Sequence, residues 1–205
     1  WAAGEAACVS IHGANRLGAN STAECLVYGR IVGEDIVRYL ASDTAHPLGN
    51  DSSFVSNEEA RVFGGLFRNE TSTEDVYVLK ARLKEIMDKS VYVFRDEAGL
   101  ADAAREVREL KDRYRGVRVT DGSRVFNYNL LDTLEVGVML ELAEVVAQGA
   151  LNRRESRGGH ARLDYPQRDD ANWLKHTLAR RSDDGPSFSF APVHITMWKP
   201  VERKY

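Results

Sequence analysis

The residues best able to do chemistry lie within the first two dozen positions. His12-Gly13-Ala14-Asn15-Arg16-Leu17-Gly18-Ala19-Asn20 carries two glycines and two asparagines with no hydrophobic periodicity, which predicts a tight loop. Arg16, between Gly13 and Gly18, offers a permanently charged planar fork that can grip a carboxylate through two parallel hydrogen bonds. Each hydrogen bond to a charged partner is worth roughly 1.5–3 kcal/mol. Ser21-Thr22-Ala23-Glu24 then follows the S-x-x-E pattern of a capping box, predicting a helix from Ser21. A helix start presents free N–H groups and a positive dipole end, both suited to an anion or a polarised carbonyl oxygen. Loop and helix thus make an anion or cofactor corner. The same residues also fit a plain structural role, in which Arg16 caps or salt-bridges and the glycines only turn the chain.

Other candidates carry less. His12 could line a pocket beside Arg16 or orient the loop backbone. Cys8 and Cys25 lack any CxxC or Cys/His metal spacing and read as small buried apolar residues of a reducing compartment. Asp169, Asp170 and His176 have ligand-type side chains without a recognised spacing, so no metal site is expected. Tyr92, Phe94 and Arg95 read as packing residues.

The elements that must position the corner are mostly helical. The helix from Ser21 carries Leu26, Ile36, Val37 and Leu40 on roughly one face, and Gly29 and Gly33 would admit another backbone. Residues 43–56 are rich in turn formers and make the best internal boundary; Cys8-Val9-Ser10-Ile11 could be a short strand or a loop. Beyond the boundary, a short helix is predicted over 58–68 and longer ones over 73–89, 97–115 and 128–152. The last has Leu131, Leu134, Val138, Leu142, Val145 and Val146 on its apolar face. Three such stripes need one another, predicting an antiparallel bundle of about three helices. The segment 153–176 is dense in both charges, fitting either a solvated face or a docking segment, and Val193–Met197 alternates like a half-buried strand stopped by Pro200. With 28 Lys+Arg against 31 Asp+Glu, the net charge of −3 shows no basic excess and argues against a nucleic-acid partner. No stretch approaches the roughly 20 apolar residues of a membrane span.

Several long motifs in order carry a specific resemblance. Ala2-Ala3-Gly4-Glu5-Ala6-Ala7 and His12 to Ser21, then Arg153-Arg154-Glu155-Ser156-Arg157-Gly158-Gly159-His160, Asp164 to Asp170, Trp173-Leu174-Lys175-His176 and Pro200 to Tyr205 closely resemble the flavoprotein subunit of succinate dehydrogenase and fumarate reductase. The resemblance covers nearly the whole chain and implies FAD-dependent oxidation of succinate to fumarate. It implies that Glu5 contacts FAD, that Arg16 binds a carboxylate of the dicarboxylate, and that Ser21 and Thr22 sit against the flavin. The family's dinucleotide-binding motif, its FAD-linked His, its proton-shuttling Arg and a substrate-binding His all precede the position matching Trp1. No catalytic residue is therefore expected here, and the chain is expected to begin in mid-domain and to be inactive alone.

The fold so implied is mainly α: residues 1–45 as the end, or remnant, of an FAD-binding α/β domain, 57–152 as the helical bundle, and 153–205 as an irregular tail with a short β element docking on the flavoprotein. Implied partners are an iron–sulfur subunit, which passes electrons to a quinone, and membrane anchor subunits. The implied location is cytoplasmic, peripheral on the inner membrane's cytoplasmic face, or on the matrix side in a mitochondrion. Two alternatives are a non-catalytic helical interaction module and a fragment of L-aspartate oxidase, which shares the HGANRL and ESRG-type motifs but works without an iron–sulfur partner.

Overall fold

The computed structural model describes residues 1–42, 52–68, 71–72, 74–182 and 184–201. They fall into two compact units, 1–58 and 59–205.

In the first unit α1 (Asn20–Leu40) starts one residue earlier than expected, behind a left-handed Ala19 with φ 65°, and no side chain caps it. The capping box does not form: Ser21 lies inside the first turn, and Glu24 bonds elsewhere. Trp1 lies against the other end of α1, its indole N–H donating to Asp35 at 2.7 Å and its ring meeting Tyr39 edge-on at 4.9 Å. Leu26, Val37 and Leu40 are exposed, and Gly29 and Gly33 face open space. One helix and an irregular segment offer too little surface to cover an apolar stripe. The same shortage leaves Cys8 and Cys25 exposed, correcting the expectation that they are buried. Residues 8–11 form no strand. A second helix, α2 (Ser53–Glu59), starts inside the stretch expected to be turns; residues 43–51 of that stretch lie outside the described residues.

In the second unit Ala60–Leu66 continues as a π-helical turn, so the helix expected over 58–68 is split between two geometries. Three longer helices follow: α3 (Val76–Ser90), α4 (Glu97–Tyr114) and α5 (Tyr128–Asn152). Thr73, the expected start of the first of these, lies outside the described residues. Each begins at an Asp or Asn whose side chain accepts a first-turn N–H: Asp75 from Tyr77, Asp96 from Gly99, and Asn127 from Leu130. Ion pairs between helices show the packing direction. Glu74 meets Arg113 while Arg82 meets Glu106, and Arg108 meets Glu144 while Lys111 also reaches Glu141. Rising numbers on one helix pair with falling numbers on the next, so α4 runs antiparallel to both neighbours, as the bundle reading expects. Leu79, Leu83, Leu100, Val107, Val136 and Leu140 fill the core.

The buried face of α5 is not the one its leucines and valines suggest. Thr133, Val136, Leu140, Ala143, Glu144, Ala147 and Ala150 are buried, whereas Leu131, Val138, Leu142 and Val146 are exposed. A helix apolar all round gives periodicity no face to choose. Close approach chooses it instead. Tyr114 Oη donates to the Thr133 carbonyl at 2.7 Å, and a Cβ at Gly137 would stand 2.7 Å from the same Tyr114 Oη.

Between α3 and α4, β1 (Phe94–Arg95) pairs in parallel with β2 (Ala161–Arg162), which follows α5, and α6 (Asp170–Trp173) leads into an antiparallel hairpin of β3 (Lys175–Ser182) and β4 (Gly185–Pro192). Phe188 of this hairpin seats 3.4 Å from where a Cβ of Gly149 would lie, anchoring it on α5. The strand expected over 193–197 does not form; the tail's β element lies just before it. Tyr92 and Phe94, expected to pack, are exposed.

Candidate functional site

The N-terminal corner is assembled around the start of α1. Gly4 adopts φ 87°, ψ −165°, a conformation open in practice only to glycine, and lies against Cys25 of α1. Glu5–Ala7 then forms a single 3₁₀ turn. Cys8, Ser10 and Ala19 have positive φ, so three of the four non-glycine residues in that region, among those described, fall within this short stretch. Such backbone strain persists only where surrounding contacts hold it.

Two side-chain bonds between residues eleven or more apart tie the stretch together. Arg16 Nη2 donates to Glu5 Oε1 at 2.8 Å, bringing two of the four expected site residues into contact. The pair is open to solvent, with side-chain exposures of 38% and 75%. His12 Nε2 meets Glu24 Oε2 at 2.5 Å, with the carboxylate only 5% exposed. Ser21 and Thr22 occupy the first turn of α1, Ser21 half-buried and Thr22 exposed. The Thr22 and Ala23 N–H groups both donate to the Ala19 carbonyl, at 3.1 and 3.4 Å. Sequence reasoning missed the role of Glu24: its spacing from Ser21 marked it, but for the wrong partner.

A second charged cluster lies in the tail. Glu155 is fully buried and accepts from Arg153, from Arg157 and from the Asp169 N–H. Arg162, 1% exposed, donates to the carbonyls of Ala150 and Leu151 at 3.0 and 3.1 Å and bonds both oxygens of Asp164 at 2.7 Å. That guanidinium draws the Asp164 carboxyl down to about 2. His160 accepts at Nδ1 from Arg95 and donates from Nε2 to the Arg153 carbonyl, which fixes one neutral tautomer. Burial, with Arg95, Arg162 and Arg153 nearby, holds His160 below the usual imidazole range against the opposing pull of the Arg153 carbonyl. Asp169 caps α6 and Asp170 pairs with Arg157 and Arg168, while His176 sits in β3. The charges of 153–176 therefore organise the end of α5 and the start of the hairpin, where a solvated face was the simpler expectation.

A family model described as fumarate reductase flavoprotein C-term matches residues 80–205. The chain belongs to the fumarate reductase flavoprotein family. It is 39% identical over its whole length to a fumarate reductase flavoprotein subunit of Haemophilus influenzae, covering 34% of that protein. It is 36% identical over 95% of its length to a succinate dehydrogenase flavoprotein subunit of Coxiella burnetii, covering 32% of that one. Among solved structures, a chain of an E. coli quinol fumarate reductase variant superposes with a TM-score of 0.90 at 36% identity, over 98% of this chain and 35% of its own. The chain of a Mycobacterium smegmatis Sdh1 complex does so at 0.83 and 34%, over 97% and 33%. The chain thus spans about a third of the length of these relatives. Its helical C-terminal architecture is that of the fumarate reductase flavoprotein family, whose members named here are oxidoreductases.

Proposed function

We propose that, within a complete flavoprotein subunit, this chain supplies the part of a succinate/fumarate oxidoreductase that holds one carboxylate of the dicarboxylate and one side of FAD. Residues 1–45 close the FAD-binding domain, 57–152 form the helical domain, and 153–205 dock the tail on the flavoprotein. Arg16 grips the substrate carboxylate; Glu5, Ser21 and Thr22 hold the cofactor; the chain itself contributes no proton-transfer residue. FAD, when bound, supplies the two-electron redox chemistry.

The observation that supports this reading most is the Arg16–Glu5 contact beside the start of α1. A guanidinium has five N–H donors. The single Nη2–Oε1 bond leaves an edge of the fork to take a carboxylate while Glu5 stays in place. The donor set also fits the cofactor: an acceptor carboxylate at Glu5, two hydroxyls at Ser21 and Thr22, and a helix start that favours partial negative charge. In the assembled enzyme we assign it an iron–sulfur subunit and membrane anchor subunits as partners, with electrons passing to a quinone. We place it at the cytoplasmic face of the inner membrane, or at the matrix side in a mitochondrion; none of the described helices is long and apolar enough to cross a membrane.

The test uses the complete subunit. Arg16→Gln should weaken succinate binding roughly a hundredfold, the loss of two charged hydrogen bonds, with flavin content unchanged. Glu5→Gln should lower flavin retention instead. Succinate affinity within twofold of the parent in Arg16→Gln would refute the reading, and turnover of L-aspartate in place of succinate would reassign the substrate. A second reading, a helical docking module with no site of its own, draws on the exposed stripe Leu131, Val138, Leu142 and Val146. Capture of the iron–sulfur subunit by a chain whose Arg16 variant changes neither binding nor flavin would favour it.

A further inference from the structure

The loop that carries Arg16 belongs to no helix or strand, yet the proposed carboxylate grip needs that side chain held in place. Besides the local Ala7–Gly4 and Ser10–Cys8 bonds, three longer-range contacts join residues 4–16 to one another or to α1. Gly4 rests on Cys25, Arg16 bonds Glu5, and His12 bonds Glu24. The first is a van der Waals contact, and the second is an exposed ion pair between two site residues, which a bound ligand would share. The third alone has a buried member. Glu24 is 5% exposed and its bond to His12 spans twelve residues, from the loop's first position into the first turns of α1. Glu24 also lies three residues beyond Ser21, hence on the same face of the helix. One carboxylate therefore fixes the entry of the Arg16 loop to the helix face that carries the cofactor hydroxyl.

We infer that Glu24 is a positioning residue: acting through His12, it pins the 12–18 loop to α1 and sets where the Arg16 guanidinium meets the substrate carboxylate. This rests on the reading of Arg16 as the carboxylate grip, and the two can fail separately. In the complete flavoprotein subunit with succinate as substrate, Glu24→Ala frees the imidazole and should raise KM roughly ten- to a hundredfold, up to the loss expected when the Arg16 grip itself is removed. Flavin content and kcat at saturation should change far less, because Glu5, Ser21 and Thr22 are untouched. Glu24→Gln keeps an acceptor oxygen for His12 and should restore KM to within about threefold of the parent. An unchanged KM in Glu24→Ala, alongside lost binding in Arg16→Gln, overturns the positioning role and leaves the grip standing; an unchanged KM in Arg16→Gln removes the grip and the inference with it. If both Glu24 variants lose flavin and helical signal together, the residue is a folding anchor only and the inference fails.

Discussion

Replacing Arg162 by methionine keeps a long apolar stem and removes one buried guanidinium. The last carbonyls of any helix lack intrahelical donors, and here Arg162 Nη1 supplies them to Ala150 and Leu151 at the end of α5. Stranding a buried carbonyl costs about 1–3 kcal/mol, so two give about 2–6. The ion pair adds less than a fully buried one would. Asp164 is 29% exposed and can rehydrate, so the 3–5 kcal/mol typical of breaking a buried pair is an upper limit for that part. Methionine packing offsets some of the loss, leaving a net destabilisation of about 3–4 kcal/mol. At about 2–4 °C per kcal/mol for a chain of this size, Tm should fall by roughly 6–16 °C. The assay is urea and thermal unfolding of the 205-residue chain, followed by helical circular dichroism. Arg154→Met is the control, since that side chain is 59% exposed and 4.0 Å from Glu97, and it should cost under about 0.5 kcal/mol. Arg162→Lys keeps a charge without the fork and should fall between the two if the methionine variant does not fold. Equal stability of the Arg162→Met and Arg154→Met variants would refute the capping argument.

Three further outcomes follow from the same structure. Gly137→Ala places a methyl 2.7 Å from Tyr114 Oη and should cost about 1–2 kcal/mol in urea unfolding, overpacking outweighing the gain in helix propensity; a stabilised variant would contradict the close α4–α5 contact. Burial keeps His160 below its unfolded pKa of about 6.5, so its contribution is whole above that pH and declines as pH falls through the folded value. Unfolding free energy should therefore drop more steeply between pH 7 and 5 in the parent than in His160→Gln, and parallel slopes would refute this. The isolated chain should neither retain FAD through gel filtration nor oxidise succinate: Glu5 and Arg16 lie on an open surface, whereas binding pockets bury about 70–90% of a ligand.

The three-helix bundle was legible because Leu79, Leu83, Leu100 and Val107 recur at helical spacing; Asp75, Asp96 and Asn127, which cap the first turns, were a further signal that the reading did not use. The inner face of α5 was not, since leucine and valine on both sides leave small residues and a tyrosine hydroxyl to decide which side is buried. The hairpin was overlooked because Arg180 and Arg181 hide the alternation, although Asp184-Gly185 followed by Ser187-Phe188-Ser189-Phe190 is a hairpin signal. At the candidate site, the Arg16 loop could be read from its glycines and asparagines. Its tether to Glu24 could not, because a twelve-residue contact leaves no periodic trace. The buried Glu155 and Arg162 escaped for a similar reason: in sequence, a charge that will be fully paired looks like one that will be solvated.

The central claim is that Arg16 holds a dicarboxylate beside the flavin, and the structure of the complete subunit with succinate or fumarate bound tests it most directly. The account predicts the Arg16 guanidinium at about 2.7–2.9 Å from a ligand carboxylate, with Glu5 on the flavin side of the same corner. A ligand seated elsewhere, with Arg16 turned outward to water, would contradict it.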